Sequence, residues 1–251
     1  MLFKEFGNKN NKAIIFIHGY GISWRMWKPQ IEFFSKDYFV IVPVLDGHDT
    51  ENNSTFTTVE KAATDIIDYV IQIYGERVFA ICGASLGATI VVDILAQNRL
   101  EVDKAIVDGG PIIPMNKFLL DFSINYRIKQ ANSMKKGSRL LKYILGCTFY
   151  PKEMVDDVFR IGANMTEESC RNSHLSVFRY SLPNSIANIK TDIAYWYGSK
   201  EALLAKKYAK CILTIVPNVK IKVFKGLDHG ELCIGNPDLY IKQATKFLHS
   251  T

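Results

Sequence analysis

Short, continuous apolar runs alternate along the chain with segments whose apolar residues recur three to four apart. The runs occupy residues 13–18 (Ala-Ile-Ile-Phe-Ile-His), 38–44 (Tyr-Phe-Val-Ile-Val-Pro-Val), 78–82 and 193–198, and stretches interrupted by charged residues, at 104–110 and 219–226, also read as strands. A strand covered on both faces reads as an unbroken apolar run, so 13–18, 38–44 and 78–82 predict parallel strands in the centre of a sheet and the others further strands of it. The helical-period segments lie between them. Residues 24–34 predict a helix entered through Ser23, and residues 57 or 58 to 74 a clearer amphipathic one, with Val59, Ala62, Ala63, Ile66, Ile67 and Val70 on one side and Glu60, Lys61, Asp65 and Asp68 on the other. Residues 88–97 and 237–248 predict two more. Strands alternating with helices imply an α/β fold, a mostly parallel central sheet with helices on both faces.

The alternation stops between Pro111 and Lys190. That interval has helical spacing, little strand character and internal breakers at Gly137, Gly146, Pro151 and Pro183. An excursion there, after the fourth readable central strand, belongs over the carboxyl ends of the strands. The expected organisation is therefore a core of residues 1–110 and 191–251 carrying a helical cap of residues 111–190.

Charge reinforces this division. Residues 111–190 hold 12 Lys/Arg and 6 Asp/Glu of the chain's 31 and 25, leaving 19 of each elsewhere, so the whole +6 surplus sits in the cap segment. It lacks the dense basic stripe or recognisable module that nucleic acid calls for. Lys135, Lys136, Arg139 and Lys142 beside Leu140, Leu141 and Ile144 suit a solvated face, or weak contact with an anionic substrate or membrane surface. The first residues lack the features of a signal peptide and no apolar run is long enough to span a bilayer, giving the expectation of a cytoplasmic protein without stable membrane insertion. Five scattered cysteines without C-x-x-C pairs predict buried, reduced thiols.

The chemistry centres on Gly83-Ala84-Ser85-Leu86-Gly87, set where a buried strand turns into a helix. The pentapeptide G-x-S-x-G is common by chance; at a strand-to-helix junction it makes a tight, strained turn that exposes the serine hydroxyl. A nucleophilic serine needs a base, a carboxylate that orients the base, and N–H donors for the oxyanion. His229, just after the last strand, is the candidate base. Glu201, in the loop after the penultimate strand, is the candidate carboxylate, with Asp108 at the end of the preceding strand as the alternative and Asp228 third. Leu86, at a helix N-terminus, and Tyr20, in His18-Gly19-Tyr20-Gly21, are the expected N–H donors. His18 is expected to be structural, while His48, His174 and His249 are assigned to a turn, the cap surface and the terminal helix. Trp24, Phe118 and Phe122, with Trp27 and Tyr126, are candidates for an apolar acyl pocket, although core packing accounts for each equally well. No metal or cofactor is required.

Together His18-Gly19-Tyr20-Gly21, the elbow at Ser85 and Asp228-His229-Gly230 resemble the α/β-hydrolase family, in its lidded serine-hydrolase branch. The resemblance implies Ser85 as nucleophile, His229 as general base and Glu201 as orienting acid. Two positions depart from the family pattern: Val44-Leu45-Asp46-Gly47-His48-Asp49 replaces a DxPGHG-like turn, and glutamate stands where aspartate is commoner. The expected activity is hydrolysis of a small, apolar carboxylic ester or thioester through an acyl-enzyme. Its rivals are other chemistries of the same fold, as a lyase, amidase, C–C hydrolase or acyltransferase, and a non-catalytic small-molecule receptor.

Overall fold

Successive residues of a strand point to opposite faces, so an apolar run fills two cores at once. The structure, a computed structural model, describes residues 1–50 and 54–250. Its strands are β1 (Leu2–Phe6), β2 (Ala13–Ile17), β3 (Phe39–Val44), β4 (Arg77–Ala84), β5 (Glu101–Asp108), β6 (Asp192–Gly198) and β7 (Lys220–Phe224). Among the described residues they form one seven-stranded sheet in the order β1-β3-β2-β4-β5-β6-β7. All neighbours are parallel except β1, which runs antiparallel to β3 with Leu2 opposite Val44 and Phe6 opposite Val40.

Ile15, Ile17, Ile41, Ile81, Val107 and Tyr195 face α2 (Val59–Ile73), α3 (Leu86–Gln97) and α8 (Ala202–Ile215). Ile14, Phe16, Val40, Val42, Cys82 and Trp196, their immediate neighbours in sequence, face α1 (Lys28–Phe34) and α10 (Pro237–Leu248). Each fully buried aliphatic or aromatic side chain stabilises the fold by roughly 1.5–3 kcal/mol. These two layers anchor the strand ends from which the functional loops leave.

Two local differences from the sequence-based expectation have clear causes. Strand β1 is not legible as a central run because it is an edge strand: all five of its residues are half-buried and two of them are Lys4 and Glu5. The helix expected over residues 24–34 is divided into a 3-10 turn, Trp24–Trp27, and α1. Pro29 at the start of α1 has no N–H to continue the preceding turn and suits a first-turn position.

Between β5 and β6 lie four helices, α4 (Lys117–Lys135), α5 (Arg139–Gly146), α6 (Lys152–Asn164) and α7 (Glu167–Arg179). Helix α4 buries Leu120, Ile124, Ala131 and Met134 against its neighbours. No residue of α5 is fully buried. The insertion is pinned to the core by polar contacts: Ser23 donates to Asp157, Ser169 Oγ and Ser176 Oγ accept from the N–H groups of Phe56 (3.2 Å) and Val59 (2.7 Å), and Tyr180 Oη donates to Asp93 (3.0 Å). A short α9 (Glu231–Gly235) follows the loop after β7. Among the described residues no helix is long and apolar enough to cross a membrane. The five cysteines are all free, with Cys82, Cys170 and Cys233 buried; Cys147, on the exposed end of α5, and the half-buried Cys211 depart from the expectation of buried thiols.

Candidate active site

The loop from β4 to α3 has space for only one residue. Ser85 fills it with φ 54° and ψ −116°, in a region that costs a non-glycine residue about 1–3 kcal/mol. Its own N–H donates to the carbonyl of Asp108 at 2.8 Å, tying the elbow to the end of β5. Gly87 lets α3 lie directly on β2, since a Cβ there would stand 2.2 Å from the Ile17 carbonyl oxygen. The hydroxyl is thereby held beside the helix N-terminus, where the dipole favours negative charge.

Two loops from neighbouring strands bring the other groups in. Leaving β6, residues 199–201 form a 3-10 turn that carries Glu201, and the loop after β7 carries His229. The loops hold each other: Lys200 N–H donates to the Leu227 carbonyl (3.0 Å) and Gly226 N–H to Ser199 Oγ (2.8 Å). Glu201 Oε1 accepts from Gly198 N–H at 2.9 Å, while Oε2 accepts from His229 Nδ1 at 2.7 Å. With that proton on Nδ1, His229 Nε2 is free to accept from Ser85 Oγ, which lies 2.8 Å away. Desolvation in the cavity pushes the imidazole down, but the Glu201 hydrogen bond and charge, with Asp108 and Asp228, outweigh it and hold His229 above its ordinary value.

Asp108, the alternative carboxylate, is placed differently. It is 4% exposed, its Oδ2 has no hydrogen-bond partner, and no hydrogen bond joins it to the imidazole. Burial, aided by the charge of Glu201 and opposed by His229, pushes its carboxyl up to about 7. Next to it, Gly109 at φ +64° leaves space for the ring: a Cβ there would lie 3.0 Å from both Cε1 and Nδ1 of His229. Asp228 accepts from the His229 backbone N–H (2.7 Å), so its hydrogen bond shapes the loop and only its charge reaches the ring.

Above Ser85 opens a cavity of about 500 Å³. Tyr20 and Leu86 line it beside the serine; Met115, Arg127, His174 and Phe178 come from the insertion, and Leu203, Leu204 and Tyr208 from α8. Trp24, Phe118 and Phe122 do not line it. Trp24 packs toward Phe6, 5.7 Å between ring centroids, at a separate small pocket of about 20 Å³. Phe118 and Phe122 are 79% and 68% exposed, because the face of α4 that carries them, together with Tyr126, turns outward while Leu120 and Ile124 turn inward. Trp27 is wholly buried in the core beneath α1 and α10.

The histidines also sort themselves. His18 is buried, accepts the Leu45 N–H at Nε2 (3.0 Å) and donates from Nδ1 to the Gly19 carbonyl (2.9 Å), holding the loop that carries Tyr20. His48 lies in the expected turn, its N–H donating to the Leu45 carbonyl (3.0 Å), and is fully buried 5.4 Å from the His18 ring; His174 departs from expectation, being 5% exposed and edge-on to Tyr20 at 4.4 Å, on the cavity wall instead of the cap surface. Burial pushes His18 down to about 3 and His48 and His174 down to about 4, so all three are neutral near pH 7. Sequence reasoning also passed over Gly109, for which the Gly109-Gly110 pair closing a strand was a usable signal, and Arg127, the one charge on the inward stripe of α4.

Comparison with known proteins supports a common framework. A family model described as the alpha/beta hydrolase family matches residues 14–243. The carboxylesterase YbfK of Bacillus subtilis is 20% identical over 252 residues, covering 96% of this chain and 82% of that enzyme. The (E)-2-((N-methylformamido)methylene)succinate hydrolase of Acinetobacter baylyi is 34% identical over 67 residues, a stretch that covers 27% of this chain and only 24% of that enzyme. Among solved structures, a carboxylesterase of Nitrososphaera gargenis superposes with a TM-score of 0.80 at 18% identity, over 98% of this chain and 93% of its own.

Proposed function

The chain belongs to the alpha/beta hydrolase family, and on that premise we propose that it hydrolyses a carboxylic ester or thioester through an acyl-enzyme. The observation that carries this reading is the unbroken line from Ser85 Oγ through His229 to Glu201, with contacts of 2.8 and 2.7 Å. Ser85 Oγ attacks the carbonyl carbon as His229 Nε2 takes its proton; Glu201 stabilises the imidazolium and keeps the proton of Nδ1 in place. The N–H groups of Tyr20 and Leu86, on the cavity wall beside the serine, receive the developing oxyanion. His229 then gives its proton to the leaving alcohol or thiol, and takes one from the water that releases the acid and restores Ser85.

The four-helix insertion acts in this proposal as the cap over the site. A cavity of about 500 Å³ with mostly apolar walls suits a small acyl chain. The carboxylesterase likeness, at 20% identity, agrees with ester chemistry and leaves the substrate open.

Labelling with a fluorophosphonate and turnover of a p-nitrophenyl ester test the reading together. The wild-type protein labels at Ser85 and hydrolyses the ester, and Ser85→Ala abolishes labelling and lowers kcat by about 10³–10⁶. Wild-type turnover no faster than that of Ser85→Ala, with no label, would overturn it in favour of a receptor.

A further inference from the structure

Helix α4 turns one stripe inward. Leu120, Ile124, Ala131 and Met134 lie on it, each at most 6% exposed, and the repeat of three and four residues that joins them passes through position 127. That position holds an arginine. Arg127 is half-buried and reaches the cavity over Ser85. Its Nη1 donates to Gln130 Oε1 at 2.9 Å, and its guanidinium lies 5.8 Å from the ring centre of Tyr20 and 5.7 Å from that of Tyr126. Among the described residues no carboxylate pairs with it.

The other groups of the cavity do not fill that role. Glu201 is committed to His229 and to the Gly198 N–H. Lys200, 57% exposed at the mouth, is 3.9 Å from Glu231. His174 is neutral, because burial pushes its imidazole down to about 4. A guanidinium keeps its charge at any working pH and offers five N–H donors in a planar fork, of which one is used here. An inward, half-desolvated cation without a counter-charge is costly for the protein alone, and the cost is offset when an anion enters.

We propose that Arg127 anchors a free carboxylate of the substrate, so that the cavity selects esters carrying a second, ionised carboxyl group. This rests on the hydrolase reading and narrows it: the ester carbonyl sits at Ser85, the carboxylate at Arg127, and the apolar walls between them take the connecting chain. Tyr20 spans the two ends, its N–H toward the oxyanion and its ring beside the guanidinium. The carboxylate meets the planar fork in a two-point contact of the kind that Lys would not reproduce.

Two matched pairs of esters test this, one with the charge on the acyl side (monomethyl adipate against methyl hexanoate) and one with it on the alcohol side (the acetyl ester of ω-hydroxyvalerate against pentyl acetate). In at least one pair the wild-type kcat/KM favours the charged ester, and Arg127→Gln lowers the ratio of charged to neutral by about 10–100-fold, chiefly through KM, with Arg127→Lys restoring part of it. A ratio that Arg127→Gln leaves unchanged in both pairs overturns the proposal, as does wild-type preference for both neutral esters. Calorimetry of adipate binding to Ser85→Ala reads the same site without turnover. There the affinity falls at least tenfold when Arg127→Gln is added; equal affinity, or no binding to either protein, overturns the anchor even if Ser85 labels normally. Loss of labelling with adipate binding intact instead overturns the hydrolase reading alone.

Discussion

The sheet and the four-helix insertion solve opposite problems. In the sheet, β2 to β6 are buried on both faces, and the residues that position Ser85 are fixed by backbone contacts that leave no slack, such as Gly87 against the Ile17 carbonyl. The insertion has a buried cluster of its own with only Ala131, Ile161, Met165 and Cys170 in it; Met154, Val158, Val177 and Tyr180 instead complete the cores of the sheet. It also exposes Phe118, Phe122, Leu140 and Tyr143, each 68% or more. The difference separates two duties. On the proposed reading, a reacting group must be held to within a fraction of an ångström, which the stiff layer supplies, whereas a wall that decides what enters needs only the right side chains on its inner face.

The sharpest way to break this division is to remove a single charge from the stiff half. Glu201→Gln keeps shape and loses the charge that stabilises the His229 imidazolium; kcat/KM is expected to fall about 10³–10⁴-fold. The pH profile carries its own sign. In the proposed mechanism the imidazole acts as base only when unprotonated, and Glu201 raises its pKa, so activity is expected to disappear as pH falls through a value above the ordinary one; without Glu201 the acid limb of what activity remains is expected to move to lower pH. Asp108→Asn, acting on the ring through space and not through a hydrogen bond, moves that limb less. Equal losses for the two variants would make Asp108 a partner of the imidazole after all.

A second test is structural. Gly87→Ala sets a methyl group 2.2 Å from one backbone oxygen and 2.6 Å from another, those of Ile17 and His18, and neither can give way without shifting β2 or α3. Stability is expected to fall by about 3 kcal/mol in urea unfolding. An unchanged midpoint would mean that the elbow is less rigid than its contacts imply.

The same contrast explains what the sequence discloses. Strands buried on both faces must be apolar throughout, so β2, β3, β4, β5 and β6 announce themselves, and the serine, its elbow and the histidine loop follow from strand order. Strand β1 does not, because half-burial at an edge tolerates Lys4 and Glu5. Within the insertion the pattern is ambiguous in principle. Helix α4 carries apolar residues on two faces, Leu120, Ile124, Ala131 and Met134 on one and Phe118, Leu119, Phe122 and Tyr126 on the other. Periodicity alone does not say which looks inward, and the larger aromatic set drew the acyl-pocket assignment to Phe118 and Phe122. His174 was misplaced for a related reason: a polar residue on a polar helix reads as surface, whereas packing against Tyr20 buries it.

Those two faces of α4 also give the smallest expected effect. Phe122 is 68% exposed and Leu120 only 1%, two residues apart on one helix. If the outer face meets only water, Phe122→Ser removes nothing the fold relies on, and the stability read from urea unfolding should stay within about 0.5 kcal/mol of wild type. Leu120→Ala removes a packed side chain and leaves a cavity, at a cost of about 2–4 kcal/mol. The measurement is informative through its ratio. Should Phe122→Ser cost as much as Leu120→Ala, the outer aromatic face is covered in solution, and the insertion has a second packed face that the contrast with the sheet denies it.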